Sequence, residues 1–233
     1  MEKGKIIAIG GGFGDDARVT LARRVWELSG KARPRLLHIP TSGYDFPDGG
    51  DVSFYYKLGF DTDILYVTHA YMTEALAAQQ IRAADVVHVP GGNLRFLAEH
   101  WKRAGIEKYL REAYEQGKVM FGSSTGSMCW FRQGYNDCGP LDSFEFIDAL
   151  GLLPYCNCPH YESAFWQSFN DRVKETPLSS IACENETAVC CIEGEWSLML
   201  SGNRPDARVW FFDAANGYER IDLRLRPDIL ETL

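Results

Sequence analysis

Five short apolar runs, each ending in a turn or loop and followed by a longer polar or amphipathic stretch, constrain this chain more than any other feature of its sequence. They are Lys5–Ile9, Arg35–Ile39, Asp63–Val67, Asp85–Val89 and Lys118–Phe121. Each is rich in Val, Ile, Leu or Phe and bounded by Gly, Pro, Ser or Asp, the pattern of a buried strand. Helical periodicity fills the gaps over Thr20–Leu28, Thr73–Ala84 and Leu94–Gln116, the last broken near Gly105. Such alternation predicts an α/β fold: a doubly wound, mostly parallel sheet with helices on both faces. After Gly151 the pattern changes. Ser180–Cys183, Thr187–Ile192, Trp196–Leu200 and Ala207–Phe212 are closely spaced and separated by turns, as expected of antiparallel strands extending the sheet edge. With no repeat or linker, 233 residues are expected to form one domain, 1–233.

Composition narrows the function classes. The net charge of −8, without a Lys or Arg run, disfavours nucleic acid as a partner. No apolar stretch approaches the roughly 20 residues needed to span a bilayer, so no membrane role is expected. The apolar run at Lys5–Ile9 is too short for a signal peptide and reads as a first strand. Seven cysteines, odd in number and irregularly spaced, fit reduced thiols in a cytoplasmic protein. The sequon Asn185-Glu186-Thr187 is then coincidental.

Ligands of open α/β sheets bind beyond the carboxyl ends of the strands. There the sequence places Gly10-Gly11-Gly12, Pro40-Thr41-Ser42, Pro90-Gly91-Gly92-Asn93 and Gly122-Ser123-Ser124-Thr125-Gly126. The last is G-x-S-x-G, directly after a strand and before an expected helical run Ser127–Arg132. A serine on so sharp a turn points its oxygen outward, and side chains two positions to either side would collide. The Thr125 N–H, at the helix start, would face a developing oxyanion. The same residues also make an ordinary βα turn. Ser123 is the neighbouring candidate, but only Ser124 has glycine at both flanking positions.

Of five histidines, His38 and His88 lie in strand runs, and His69 and His100 in exposed contexts. His160 follows an extended segment and precedes the helix-like Glu162–Val173, where a ring could reach a neighbouring nucleophile. It is the candidate general base.

Taken together and in order, Gly10-Gly11-Gly12, Pro40-Thr41-Ser42, Pro90–Asn93, the serine elbow, Leu150-Gly151-Leu152-Leu153 and Pro159-His160-Tyr161 resemble the S51 serine peptidases, the family of dipeptidase E and cyanophycinase. The resemblance implies a class I glutamine amidotransferase-like fold and a Ser124–His160 pair. It also implies an oxyanion hole from the N–H groups of Gly92 and Thr125, with Gly91 and Asn93 beside the substrate. The family carries Ala where this chain has Thr125. For the third triad member, the family's glutamate slot falls on Asn185, with Glu184 and Glu186 as next choices and Asp137 last. An asparagine can accept the imidazole N–H and fix its tautomer, but stabilises the imidazolium less than a carboxylate does. Asp137 has a turn-forming role open to it as well.

These residues together describe acyl transfer without a cofactor or metal; the resemblance implies small peptides as substrates, dipeptides with an N-terminal aspartate among them. An acidic side chain calls for an arginine fork, for which Arg172 is the first candidate and Arg132 the second. Trp166, Phe165 and Phe169 have spacings that suit packing. Three rivals are weaker or open. Gly12-Phe13-Gly14-Asp15-Asp16-Ala17 loosely fits a dinucleotide turn, but places two acids where pyrophosphate would sit. Cys156-x-Cys158-x-His160 lacks the usual C-x₂-C spacing of a metal site. A non-catalytic binding or sensor protein, or a serine esterase or amidase, could use the same fold. Oligomeric state is not legible, a homodimer being one candidate.

Overall fold

The computed structural model describes residues 4–46, 49–139 and 143–233. Two sheets carry the architecture. In the first, five strands run parallel: β1 (Lys5–Ile9), β2 (Arg35–His38), β3 (Asp61–Ile64), β4 (Val86–Val89) and β5 (Val119–Ser123). Two more, β10 (Thr187–Ile192) and β11 (Glu195–Leu200), continue it antiparallel beyond β1, giving the order β11-β10-β1-β5-β4-β2-β3.

Period-two alternation in these strands feeds both faces. Ile7, Ile9, Val119 and Phe121 pack under α1 (Asp15–Ser29) and Tyr55 of α2 (Gly49–Lys57). Ile6, Ala8, Val87, Val89 and Met120 turn the other way, toward α3 (Glu74–Ala83), α4 (Leu94–Ala104) and α5 (Glu107–Glu115). The break between α4 and α5 falls at Gly105, which caps α4 in the left-handed conformation at φ 68°. Fully burying each large aliphatic side chain here contributes about 1.5–3 kcal/mol.

The second sheet has the order β13-β12-β9-β8-β6-β7, built from β6 (Phe131–Asn136), β7 (Glu145–Asp148), β8 (Leu153–Cys158), β9 (Ser180–Cys183), β12 (Val209–Asp213) and β13 (Glu219–Asp222). The strands expected at the C-terminal edge therefore divide between two sheets, and β9 pairs parallel with β8 rather than antiparallel. The helix expected over Ser127–Arg132 is also corrected. A single turn, α6 (Thr125–Met128), ends before Phe131, and the chain passes at once into β6, whose apolar residues are buried on the second sheet. The stretch Glu162–Val173 is not one helix but 3₁₀ turns around the short α7 (Phe169–Arg172). Among the described residues no helix is long and apolar enough to cross a membrane.

Parallel pairing of β8 with β9 decides where chemistry can gather. Both strands end on the same side, so the segments after them, holding His160 and Asn185, leave side by side. Gly10, at the exit of β1, packs so tightly on the exit of β9 that a Cβ there would lie 2.3 Å from the Glu184 carbonyl.

Candidate active site

Ser124 sits at the exit of β5, between the ends of β1 and β4, since Ser123 pairs with Ile9 and Gly122 with Val89. Its backbone is in a strained region, φ 56° and ψ −118°, and it opens α6. The flanking glycines explain how that turn is packed. A Cβ on Gly122 would meet the Val89 carbonyl oxygen at 2.2 Å, and one on Gly126 would meet the same atom at 1.8 Å. The obstacle is strand backbone, which cannot give way. The elbow therefore rests directly on β4, and the Gly91–Gly92 turn after β4 borders the hydroxyl: a Cβ on Gly91 would lie 3.8 Å from Ser124 Oγ.

Thr125 Oγ1 donates to the Gly92 carbonyl, tying the elbow to that turn. The turn is held from its other side too. Ser42 Oγ donates to the Pro90 and Gly91 carbonyls at 3.0 and 2.9 Å, and the Asn93 N–H donates to the Ser42 carbonyl at 2.8 Å. Asn93 itself caps α4, its side chain accepting from the Phe96 N–H at 2.9 Å.

Three consecutive carbonyls organise the rest. Ile9, Gly10 and Gly11 accept the backbone N–H groups of Ser124, His160 and Glu186 at 3.1, 3.1 and 2.8 Å. Three segments far apart in sequence thus register on one stretch of backbone. His160 has φ 52°, and its Nδ1 lies 2.7 Å from Asn185 Oδ1. With the asparagine oxygen as acceptor, Nδ1 carries the proton and Nε2 is left basic. Gly11 lies against this pair: a Cβ there would be 2.3 Å from His160 Cε1 and 2.4 Å from Asn185 Oδ1. Glu162 Oε2 accepts the Asn185 N–H at 3.0 Å while its other oxygen accepts from Arg204 at 3.0 Å. The Trp166 ring stands 5.3 Å from the imidazole.

The family model of peptidase family S51 matches residues 6–199. The chain belongs to peptidase family S51. It is 34% identical to an uncharacterized peptidase, YgaJ, of Bacillus subtilis, over 68% of this chain and 69% of that one. It is 28% identical to peptidase E of Citrobacter koseri, over 52% of this chain and 55% of that one. The crystal structure of a peptidase from an acI-B1 actinobacterium superposes with a TM-score of 0.70 at 16% identity, covering 94% of each chain, and shares its fold. Family membership makes the protein a hydrolase.

The other residues singled out from the sequence of this S51 member stand elsewhere or are already engaged. Glu184 accepts from Trp210 Nε1 and the Arg208 N–H, each at 3.0 Å. Glu186 is buried and accepts the Gly14 N–H at 2.9 Å. Asp137 accepts from the Cys138 thiol at 3.4 Å, and that thiol also lies 3.7 Å from the Gly92 carbonyl. Arg172 does not present an open fork. Its Nε and Nη2 donate to Glu175 at 3.0 and 2.8 Å, and its Nη1 to the Phe144 carbonyl at 2.6 Å. Arg132 is exposed at the start of β6, beside the start of β8 and so at the end of the sheet opposite His160.

The thiols are poorly suited to nucleophilic or metal chemistry. Burial pushes Cys156 and Cys183 up to about 12, and burial with Asp137 nearby pushes Cys138 up to about 11. Among the described residues no three His, Cys, Asp or Glu side chains cluster as a metal site would require. Two contributors escaped the sequence reading. Glu162 stands in a His-x-Glu pattern that could have marked it. Ser127 bonds Asn157 of β8 at 2.8 Å and the Ser124 carbonyl at 2.7 Å, joining the elbow to the second sheet, and no local pattern signals it.

Proposed function

We propose that this S51 hydrolase cleaves small peptides through an acyl-enzyme on Ser124, with His160 as general base and Asn185 as the residue that fixes its tautomer. The observation that carries the reading is the register of Ser124, His160 and the Asn185–Glu186 segment on the Ile9, Gly10 and Gly11 carbonyls, with His160 Nδ1 held 2.7 Å from Asn185.

In the first half-reaction His160 Nε2 takes the Ser124 proton as Oγ adds to the scissile carbonyl. The developing oxyanion is received by the N–H groups of Thr125 and Gly92, on the two segments joined by the Thr125 hydroxyl. The imidazolium then returns its proton to the leaving amine. Water, deprotonated by the same ring, hydrolyses the ester. Asn185 orients the ring throughout but brings no charge to the imidazolium, so its help is geometric. A serine esterase or amidase would use the same steps. A purely binding protein is the reading favoured by the neutral Asn185.

An aspartate preference would need a guanidinium open to substrate, and Arg172 would have to leave Glu175 to provide one. Hydrolysis of a panel of dipeptides and amides by wild type and Ser124→Ala tests the reading. Turnover that vanishes with Ser124→Ala is expected. Turnover that survives it would place the nucleophile elsewhere.

A further inference from the structure

At the exits of β1, β4 and β5 lies a cavity of about 220 Å³ that the mechanism above does not use. Ser123, one residue before Ser124, forms part of its wall, and so does Gly12, next to the glycine beneath the imidazole. Arg18 of α1 and Asp51 of α2 stand side by side in its wall, with Arg18 Nη2 donating to Asp51 Oδ1 at 2.7 Å. Their side chains are only 30% and 28% exposed, and Arg18 also lies 4.3 Å over the Phe54 ring. The phenol of Tyr55 and the imidazole of His88 line the same space. Burial and the nearby Asp51 push the Tyr55 phenol up, so it stays protonated and can donate.

Resting on the Ser124 peptidase reading, we propose that this cavity receives the side chain on the acyl side of the scissile bond and selects an uncharged carboxamide, glutamine or asparagine, over its acid. Ser123 is joined to the nucleophile and Gly12 to Gly11, which brings the cavity within reach of a side chain flanking the attacked carbonyl. The charges set the selection. A guanidinium beside a carboxylate offers donors and acceptors side by side, and a primary amide presents the complementary pair: an oxygen that accepts and an NH₂ that donates. To reach Arg18, a carboxylate entering the same space must displace Asp51 or stand beside it, and an ammonium must do the same with Arg18 to reach Asp51. With both side chains partly desolvated, either like-charge contact costs more than it would on an open surface. Arg172, the first arginine weighed for an acidic substrate, is likewise matched by a carboxylate.

Calorimetric binding of the dipeptides Gln-Leu, Asn-Leu, Glu-Leu and Asp-Leu to Ser124→Ala protein tests this without requiring turnover. At least one amide dipeptide is expected to bind about tenfold or more tightly than its acid counterpart. Adding Asp51→Asn removes the repelling charge, and the ratio should fall by about tenfold or invert. Adding Arg18→Gln should weaken the amides. Melting curves identify any variant that fails to fold, and the ratio in the parent protein stands independently of them. Tighter binding of the acids, a ratio unmoved by Asp51→Asn in folded protein, or no binding of any dipeptide would overturn the proposal. Failure of Ser124 to react with a fluorophosphonate would count against the peptidase mechanism instead, and is read separately on wild type.

Discussion

The two sides of the candidate site are held by different physics. Ser124 is fixed by close packing of backbone on backbone: Gly122 and Gly126 have the Val89 carbonyl oxygen where a side chain would begin. His160 is fixed by hydrogen bonds, from its N–H to Gly10 and from its ring to Asn185, with Gly11 leaving room for the pair. Packing against a strand cannot adjust without moving the sheet. A hydrogen-bonded pair of side chains can be displaced while the sheet stays in place. The first arrangement couples function to stability, and the second separates them.

The largest effect should come from setting Gly126→Ala against Gly11→Ala. At Gly126 the added carbon meets the backbone of β4, so about 3 kcal/mol or more of stability should be lost along with activity. At Gly11 it meets the His160 ring and the Asn185 amide. There the cost should be nearer 1–2 kcal/mol, from the unfavourable φ of 149°, while kcat/KM falls by about a thousandfold. Thermal melts beside kinetics separate the two, and equal destabilisation would erase the distinction.

Next in size is Asn185. Removing the acceptor with Asn185→Ala should lower kcat/KM by about a hundredfold or more, with the fold intact, because the ring loses its fixed tautomer. Asn185→Asp, which adds charge at the same position, should raise it severalfold over wild type. An indifferent Asn185→Ala would mean the ring is positioned by Trp166 and by the backbone tie of His160 to Gly10 alone.

Thr125→Ala should be mildest. It deletes the hydroxyl bond to Gly92, about 1 kcal/mol, and should lower kcat less than about tenfold without changing the melting temperature by more than a few degrees. A larger loss would show that the Gly91–Gly92 turn depends on this one tie.

The same contrast governs how much could be read in advance. The elbow was legible because its signal is local: the five residues Gly122–Gly126 join a strand to a helical turn and carry both flanking glycines, although the Val89 carbonyl that requires those glycines lies on β4. Strands β1, β9 and β10 were legible end to end, since burial on one or both faces writes itself into a period of two or an unbroken apolar run. The second sheet was not, because a short strand carries no record of which neighbour it will join. For the same reason the parallel β8–β9 pair, which sets His160 beside Asn185, was invisible. Arg172 illustrates the opposite failure. Arginine spacing on an amphipathic stretch does not say that Glu175, three residues on, will take its fork. Glu162 and Gly11 matter through contacts 23 and 174 residues away along the chain, as the Asn185 N–H bond and the Gly11–Asn185 approach show.

The most direct measurement is reaction of folded wild-type protein with a fluorophosphonate, followed by peptide mapping of the adduct. A single adduct on Ser124, abolished by Gly11→Ala as well as by Ser124→Ala, is the expected result. An adduct on Ser123, or no adduct in a protein that melts cooperatively, would contradict the assignment of Ser124 and His160 as nucleophile and base.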